Sequence, residues 1–372
     1  MAVPTGDRRD EIAAYLALAQ LPGIGPARLR TLVAAFQSGR AALTAPHGAI
    51  AALPGFSRAG ASAVRACSLA TGREILDQLD RLGATLVLLD DAAFPPLLRE
   101  IPDSPAWLYA WGDVSLLQRP GVGMVGSRNH SPYGADAARL LAAGVARAGV
   151  VVVSGMARGI DAIAHAAALD AGGGSVGVLG NGFGVIYPAA NRALYQRMLV
   201  GGCLITELPP GERPHAGAFP HRNRLISGLT GATVVVEAAP ASGALITADF
   251  ALDQGRTVLA VPGPITSATS LGCNKLIQQG AKPALSPGDI LEELGLPGSA
   301  DPGPVAGGSR SQPADLDGLQ RSLWDVLMTE PKHVDVLVAA VGGDAGAVLT
   351  ALTELELRGL VKQEAGMRFG II

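Results

Sequence analysis

Three observations predict an alternating α/β protein with a parallel sheet, a small helical domain before it and a winged-helix module after it. Hydrophobic residues are 48% of the 372, yet aromatics are only 4%, and there are 49 glycines. Apolar mass made of Ala, Val and Leu, with many tight turns, suits α/β layers rather than a β-sandwich. Short apolar runs between 85 and 261 are separated by helical periods, the pattern of strands covered on both faces by crossover helices. A Pro-, Gly- and Ser-rich stretch without periodicity, 297–318, sets off a C-terminal piece, and that composition is a flexible linker.

Residues 1–80 read as the helical domain. Two glycine turns resemble each other, "LPGIGPARLRTLVAAF" (21–36) and "LPGFSRAGASAVRA" (53–66). The first has the helix-hairpin-helix shape, in which backbone N–H groups at a helix start can hold a phosphate, with Arg28 and Arg30 nearby. The second lacks the second glycine. Either this region touches DNA, or its turns simply need Gly.

Residues 81–296 form the α/β block. Strands are predicted at 85–89, 122–125, 150–153, 175–180, 204–206, 232–238 and 257–261, with helices at 133–149 and 243–255 among those between them. Parallel strands joined by right-handed crossovers place ligands at their carboxyl ends. Residues 319–372 read as three helices and a terminal hairpin, a winged helix. Its third helix, "GAVLTALTELELRG", sets Glu354 and Glu356 against one Arg358. Those carboxylates oppose a phosphate-facing role and favour a protein contact or a structural one.

The net charge of −3 excludes nothing, but its distribution is uneven. Residues 1–75 hold eight Arg against four acids, and residues 115–290 hold thirteen Lys/Arg against nine acids. Residues 315–372 hold five against nine. An anionic partner therefore favours the first two regions. The apolar runs are too short for a membrane span, and the N-terminus lacks a secretory pattern. Cys67, Cys203 and Cys273 are scattered, which points to a cytoplasmic setting without disulfides or zinc.

Gly121, Gly123 and Gly126 spell the dinucleotide fingerprint G-x-G-x-x-G, but the register is wrong. A true fingerprint follows the strand and opens the helix. Here two glycines fall within the strand, and Ser131-Pro132 is an N-cap and first-turn pair that starts the helix near 132. No acid follows to hold a ribose, so no cofactor is expected. What remains is a set of small-residue loops after strands: Gly126-Ser127-Arg128, "SGMARGID" (154–161), "APASGALIT" (239–247) and "PGPITSATSLGCNKLI" (262–277). Each can present N–H groups or hydroxyls to an anion. Arg128, Arg158, Arg222, Arg224 and Lys275 could converge there, since guanidinium forks suit phosphate. Tyr133, Phe183, Tyr187 and Phe219 are the aromatics near this rim. Phe183 and Phe219 are placed in loops, where each either stacks a base or packs in the core.

The segments "VGSRNHSPYG", "VVSGMARGIDAIAHAAAL", "VLGNGFGVIYPAANRAL", "LITELPPGERPHAGAFPHRNRLISGLTGATVVVEAAPASGALITADFALDQGRTVLAVPG" and "SLGCNKLIQQGA" together closely resemble the DNA processing protein A family, also called DprA or Smf. The dense resemblance covers about 120–283, and Met156 stands where the family usually has Leu. It implies an extended Rossmann-like core, a sterile-alpha-motif-like N-terminal domain and a C-terminal winged helix. It also implies a cytoplasmic binding protein, not an enzyme, that protects single-stranded DNA and loads RecA recombinase in natural transformation. The implied partners are single-stranded DNA, RecA, a second copy in a homodimer, and single-strand-binding protein. The positions carried over are Gly126, Ser127, Arg128, Gly155, Arg158, Gly159, Arg222, Asn223, Arg224, Ser242 and Gly243, with Arg192, Asn274 and Lys275 extending the rim and Phe219 beside it.

The rival is a nucleotide-processing enzyme of the phosphoribohydrolase type, with Glu237 as base. Those enzymes carry P-G-G-x-G-T where this chain has "APASGALIT". His165, four residues after Asp161, reads as a helix pair or packing group rather than a catalyst.

Overall fold

The computed structural model describes residues 5–297, 316–328, 332–364 and 366–371. They fall into two units, divided between residues 299 and 300. Six helices come first: α1 (Thr5–Ala19), α2 (Pro26–Phe36), α3 (Gly39–Thr44), α4 (His47–Ala51), α5 (Arg58–Ala66) and α6 (Leu69–Leu82). Then follow β1 (Thr85–Leu88), α7 (Pro96–Glu100), β2 (Trp107–Gly112), β3 (Gly121–Gly126), α8 (Pro132–Arg147), β4 (Val151–Ser154) and α9 (Ile160–Asp170). The first unit continues through β5 (Ser175–Val178), α10 (Arg192–Gly201), β6 (Cys203–Thr206), α11 (Ala218–Gly228), β7 (Ala232–Glu237) and α12 (Gly243–Asp253). It ends with β8 (Thr257–Ala260), α13 (Leu271–Gln278), β9 (Lys282–Pro283) and α14 (Pro287–Glu293).

Local chemistry sets several of these starts. The Ser131 hydroxyl accepts from Gly134 N with Pro132 in the first turn, and the Ser242 hydroxyl accepts from Ala244 N. These are the caps the sequence predicts. The nine strands form one sheet in the order β1-β2-β6-β5-β4-β3-β7-β8-β9. It is parallel except at β2, which runs antiparallel to both β1 and β6. The expected parallel core is present, and β2 adds an antiparallel strand at its β1 side. Neither β2 nor the two-residue β9 is among the predicted strands, the latter being too short to show a period.

Alternation along the strands sends Val122, Met124 and Val152 to one face, and Val125, Val151 and Val153 to the other. Both faces are buried, as the continuous apolar runs require. From β3 the chain crosses to β4 on one side, while β7 lies on β3's other side and leads to β8. The loops after β3 and β7 therefore diverge, which opens a crevice at their carboxyl ends.

Helices α1 and α6 share a core with this block. Ala13, Leu16, Ile75 and Leu76 pack with Tyr109, Met198 and Leu204. A second cluster, including Leu18, Leu29, Leu32, Ile50 and Val64, holds the remaining N-terminal helices. No single helix among the described residues is long and apolar enough to cross a membrane. Cys203 and Cys273 are buried, whereas Cys67 is half-buried.

The second unit holds α15 (Gly318–Leu327), β10 (Lys332–His333), α16 (Val334–Val341), α17 (Ala345–Leu357), β11 (Val361–Glu364) and β12 (Arg368–Ile371). Its sheet runs β10-β12-β11, all antiparallel, over a core that includes Leu323, Trp324, Leu352 and Phe369. Three helices and a terminal hairpin are the winged-helix arrangement. Most of the predicted linker lies outside the described residues, and Leu316 already sits in this unit's core.

Candidate nucleic-acid interface

The crevice after β3 and β7 is a cleft of about 700 Å³. Ser127 and Arg128 follow β3 on one wall, Ser242 and Gly243 start α12 on another, and Phe219 and Asn223 project from α11. Arg158, in the loop after β4, borders an adjoining slot together with Arg128, Phe219 and Arg222.

The loops after β3 and β4 touch through Gly159. Its φ is +82°, and a Cβ there would lie 2.3 Å from the Ser127 carbonyl oxygen. Only glycine allows that approach. Ile160 N then donates to Ser127 O (3.1 Å), and Ser127 N donates to Glu237 O (2.7 Å), so the β3 loop is tied to both neighbours. Beyond this bracing Arg128 is exposed, with its guanidinium 6.0 Å from the centre of the Phe219 ring. Arg158 is also exposed, and neither arginine has an ion-pair partner among the described residues. Arg128, which shares the cleft with the N-terminus of α12, and Arg158 in the adjoining slot make a rim suited to a polyanion.

Three expectations about this rim are corrected. First, the amides after β4 do not face the cleft. Gly155 N and Ala157 N both donate to the buried Asp161 carboxylate (3.1 and 3.3 Å). Burial pushes the Asp161 pKa up, and the neighbouring Arg222 charge opposes that shift. Asp161 therefore serves this loop, and of the two readings of His165 the structure has the buried packing group rather than the helix pair. His165 instead meets Ser175 Oγ at 2.7 Å. Second, Arg222 is 6% exposed and donates through Nη1 to Gly155 O (2.5 Å) and to Val178 O. A Cβ at Gly155 would fall 2.6 Å from that guanidinium, so a side chain there would displace it. Burial lowers the Arg222 pKa to about 10, and the group braces the floor more than it offers a free charge.

Third, Arg224 points away. Its Nη2 donates to both Glu207 oxygens (2.6 and 2.7 Å), its Nη1 donates to Asp103 O (2.7 Å), and it is 3% exposed. The cause is helical geometry. Phe219 lies on α11, not in a loop, and residues at i, i+3 and i+4 share a face. Phe219, Arg222, Asn223 and Ile226 accordingly line the cleft. Arg224, two residues past Arg222, is turned about half a revolution away.

Asn223 bridges the walls, accepting from Arg222 Nε (3.2 Å) and donating to Gly243 O (3.3 Å). Asn274 and Lys275 line neither the cleft nor the slot. The Asn274 amide instead pairs with Gly263 N and O (3.2 and 3.0 Å), while Lys275 is exposed on α13. Arg192 is exposed at the start of α10, also outside the cleft lining. Phe183 is 1% exposed and meets Trp111 edge-on at 5.6 Å, so it is a core residue.

Glu237 is 2% exposed and accepts from Ser131 N (2.9 Å) and Thr269 Oγ1 (2.6 Å). Both carboxylate oxygens are engaged in tying together the starts of two helical segments. The sequence reading also missed two loop-holding amides. Asn181 donates to Val185 O (2.7 Å), and Asn191 donates to Met156 O and Ala157 O (2.9 and 3.1 Å). An asparagine inside a loop is the one local sign of such a role.

Comparison with known proteins gives the family. Residues 85–295 match the family described as DNA recombination-mediator protein A, and residues 308–367 match the DprA winged helix domain. Protein Smf of Synechocystis is 34% identical across 96% of this chain and 98% of its own length. The X-ray structure of DNA processing protein A from Streptococcus pneumoniae superposes with a TM-score of 0.62 at 33% identity, covering 79% of this chain and 99% of that one. DNA processing protein A from Helicobacter pylori, described for its single-stranded DNA binding mode, gives a TM-score of 0.52 at 27% identity, over 57% of this chain and 95% of that one. With the family matched over most of the α/β block and again at the winged helix, the chain belongs to the DNA recombination-mediator protein A family, DprA/Smf.

Proposed function

We propose that this chain binds single-stranded DNA in the cleft over Arg128 and, as a homodimer, delivers it to RecA recombinase without doing chemistry on it. The observation that carries the reading is the cleft of about 700 Å³ at the switch point of the sheet, with Arg128 exposed on it and Arg158 in the adjoining slot, neither having an ion-pair partner among the described residues. The Helicobacter pylori relative, described for binding single-stranded DNA, supports it. Gly126, Ser127, Arg128, Gly155, Arg158, Gly159, Phe219, Arg222, Asn223, Ser242 and Gly243 form or brace the site, and Arg192 extends its charge. The divisions 1–80, 81–296 and 319–372, joined through 297–318, are read as its functional modules. An enzyme of the phosphoribohydrolase type would use Glu237 as base, and the hydrogen bonds that occupy that carboxylate weigh against it.

The test is fluorescence anisotropy with single- and double-stranded oligonucleotides over a salt series. Single strands should bind more tightly, with log Kd rising linearly in log salt as counterions are released. RecA filament formation on DNA coated with single-strand-binding protein tests the delivery step. Absence of stimulation would remove that part alone.

A further inference from the structure

Phe219 has an aromatic neighbour outside the anion loops. The Tyr187 ring lies 5.4 Å from the Phe219 ring at an interplanar angle of 36°, and Tyr187 is 45% exposed. Phe219 sits over Gly180, where a Cβ would meet its Cδ1 at 2.8 Å, so the ring is fixed from below. It forms a partition. The 700 Å³ cleft lies on one side, and the slot bordered by Tyr187, Met156 and Arg158 lies on the other. The loop that carries Tyr187 is held on both flanks, by Asn181 on Val185 O and by Asn191 on the carbonyls of Met156 and Ala157. An exposed ring on a braced loop offers a face at little ordering cost. Arg128 and Arg158 border the same slot without ion-pair partners among the described residues.

We infer that Tyr187 is a base-stacking platform. The sugar–phosphate chain follows the arginines, an unpaired base crosses the Phe219 partition, and that base lies on the Tyr187 ring. This rests on the reading of the cleft as a single-strand site. Stacking on an aromatic face is tolerant of sequence because every base has a π-face, so the platform favours unpaired bases over duplex without selecting among them.

The experiment compares a short deoxythymidine oligonucleotide with an abasic one carrying the same phosphates, each over a salt series. Tyr187→Ala should weaken binding of the thymidine strand roughly tenfold or more. It should leave abasic affinity and both salt slopes unchanged, because every phosphate keeps its cationic partner. Tyr187→Phe should restore wild-type affinity. Tyr187→Leu, which keeps apolar bulk against Phe219, should behave like Ala and guards against a folding defect. Wild-type thymidine binding by Tyr187→Ala and Tyr187→Leu, or equal weakening on both strands, overturns the platform while leaving the cleft reading intact. Failure of the wild type to bind either strand overturns the cleft reading and the platform with it.

Discussion

The loop rim and the α11 face both contribute arginines near the same cleft, yet the two regions treat those arginines in opposite ways. Arg128 and Arg158 stand at loop tips, exposed and without acidic partners among the described residues. Arg222 and Arg224 are 6% and 3% exposed, and each is tied down by backbone oxygens, with Glu207 added for Arg224. The difference is one of desolvation. A guanidinium left in water keeps its charge available to a ligand, whereas a buried one must be satisfied internally or it destabilises the fold. On the proposed reading the rim arginines face the ligand, and the arginines of α11 hold the scaffold beneath them.

The largest effect should come from the scaffold. Arg224→Ala leaves Glu207 without its main charge partner, with only His221 nearby at 3.7 Å among the described residues, and is expected to destabilise the first unit by about 3–5 kcal/mol, read by chemical denaturation. Burial already raises the Glu207 pKa, and removing the arginine raises it further. A carboxylate whose folded pKa is raised contributes its stability at low pH and loses it as pH rises. The deficit should accordingly shrink in acid. A denaturation midpoint unmoved at neutral pH would break the scaffold half of the comparison.

His165 tests the floor beneath Arg222. The Ser175 hydroxyl donates to Val152 O (2.8 Å), so it accepts from His165 Nδ1–H and leaves Nε2 bare. Burial, reinforced by the Arg222 charge, depresses the His165 pKa to about 3. The unfolded chain takes up this proton near pH 6.5 and the folded one does not. Stability should thus fall by about 1.4 kcal/mol for each pH unit by which pH is lowered from about 6.5 toward about 3. Comparing the pH dependence of His165→Asn with wild type isolates that slope, and parallel curves would refute it.

Arg128→Ala should leave the melting temperature unchanged and weaken single-strand binding roughly 10–100-fold, the scale of a charge-assisted hydrogen bond. The salt slope should flatten by about 0.7 for each phosphate that Arg128 neutralises. Undiminished binding would sink the rim. The smallest effect belongs to the winged unit. Glu354 and Glu356 are exposed on α17 and engage Gln320 and the Gln363 amide within that unit. The double variant E354Q/E356Q should change DNA affinity by less than about twofold. A large gain would mean that this helix lies near phosphates.

The sequence by itself determined whatever is local. Ser131-Pro132 and Ser242 set their helix starts, because a cap needs only a hydroxyl and the amides two or three residues on. Strands buried on both faces show as unbroken apolar runs, and the displaced glycines of 121–126 argue against the dinucleotide reading through their register with Ser131. The motif segments carried the family. What only the tertiary structure decided is where each charge ends up. Arg222 and Arg224 are near-identical in the string "HRNRLISG", and the turn of α11 separates them. Asp161 reads as a partner for the next helical turn, yet it faces back to the amides of Gly155 and Ala157. Phe183 and Phe219 read alike, and only packing sends one to Trp111 and the other to Arg128 and Tyr187. Burial is a property of the assembled layers, and burial decides whether an arginine is a ligand group or a strut.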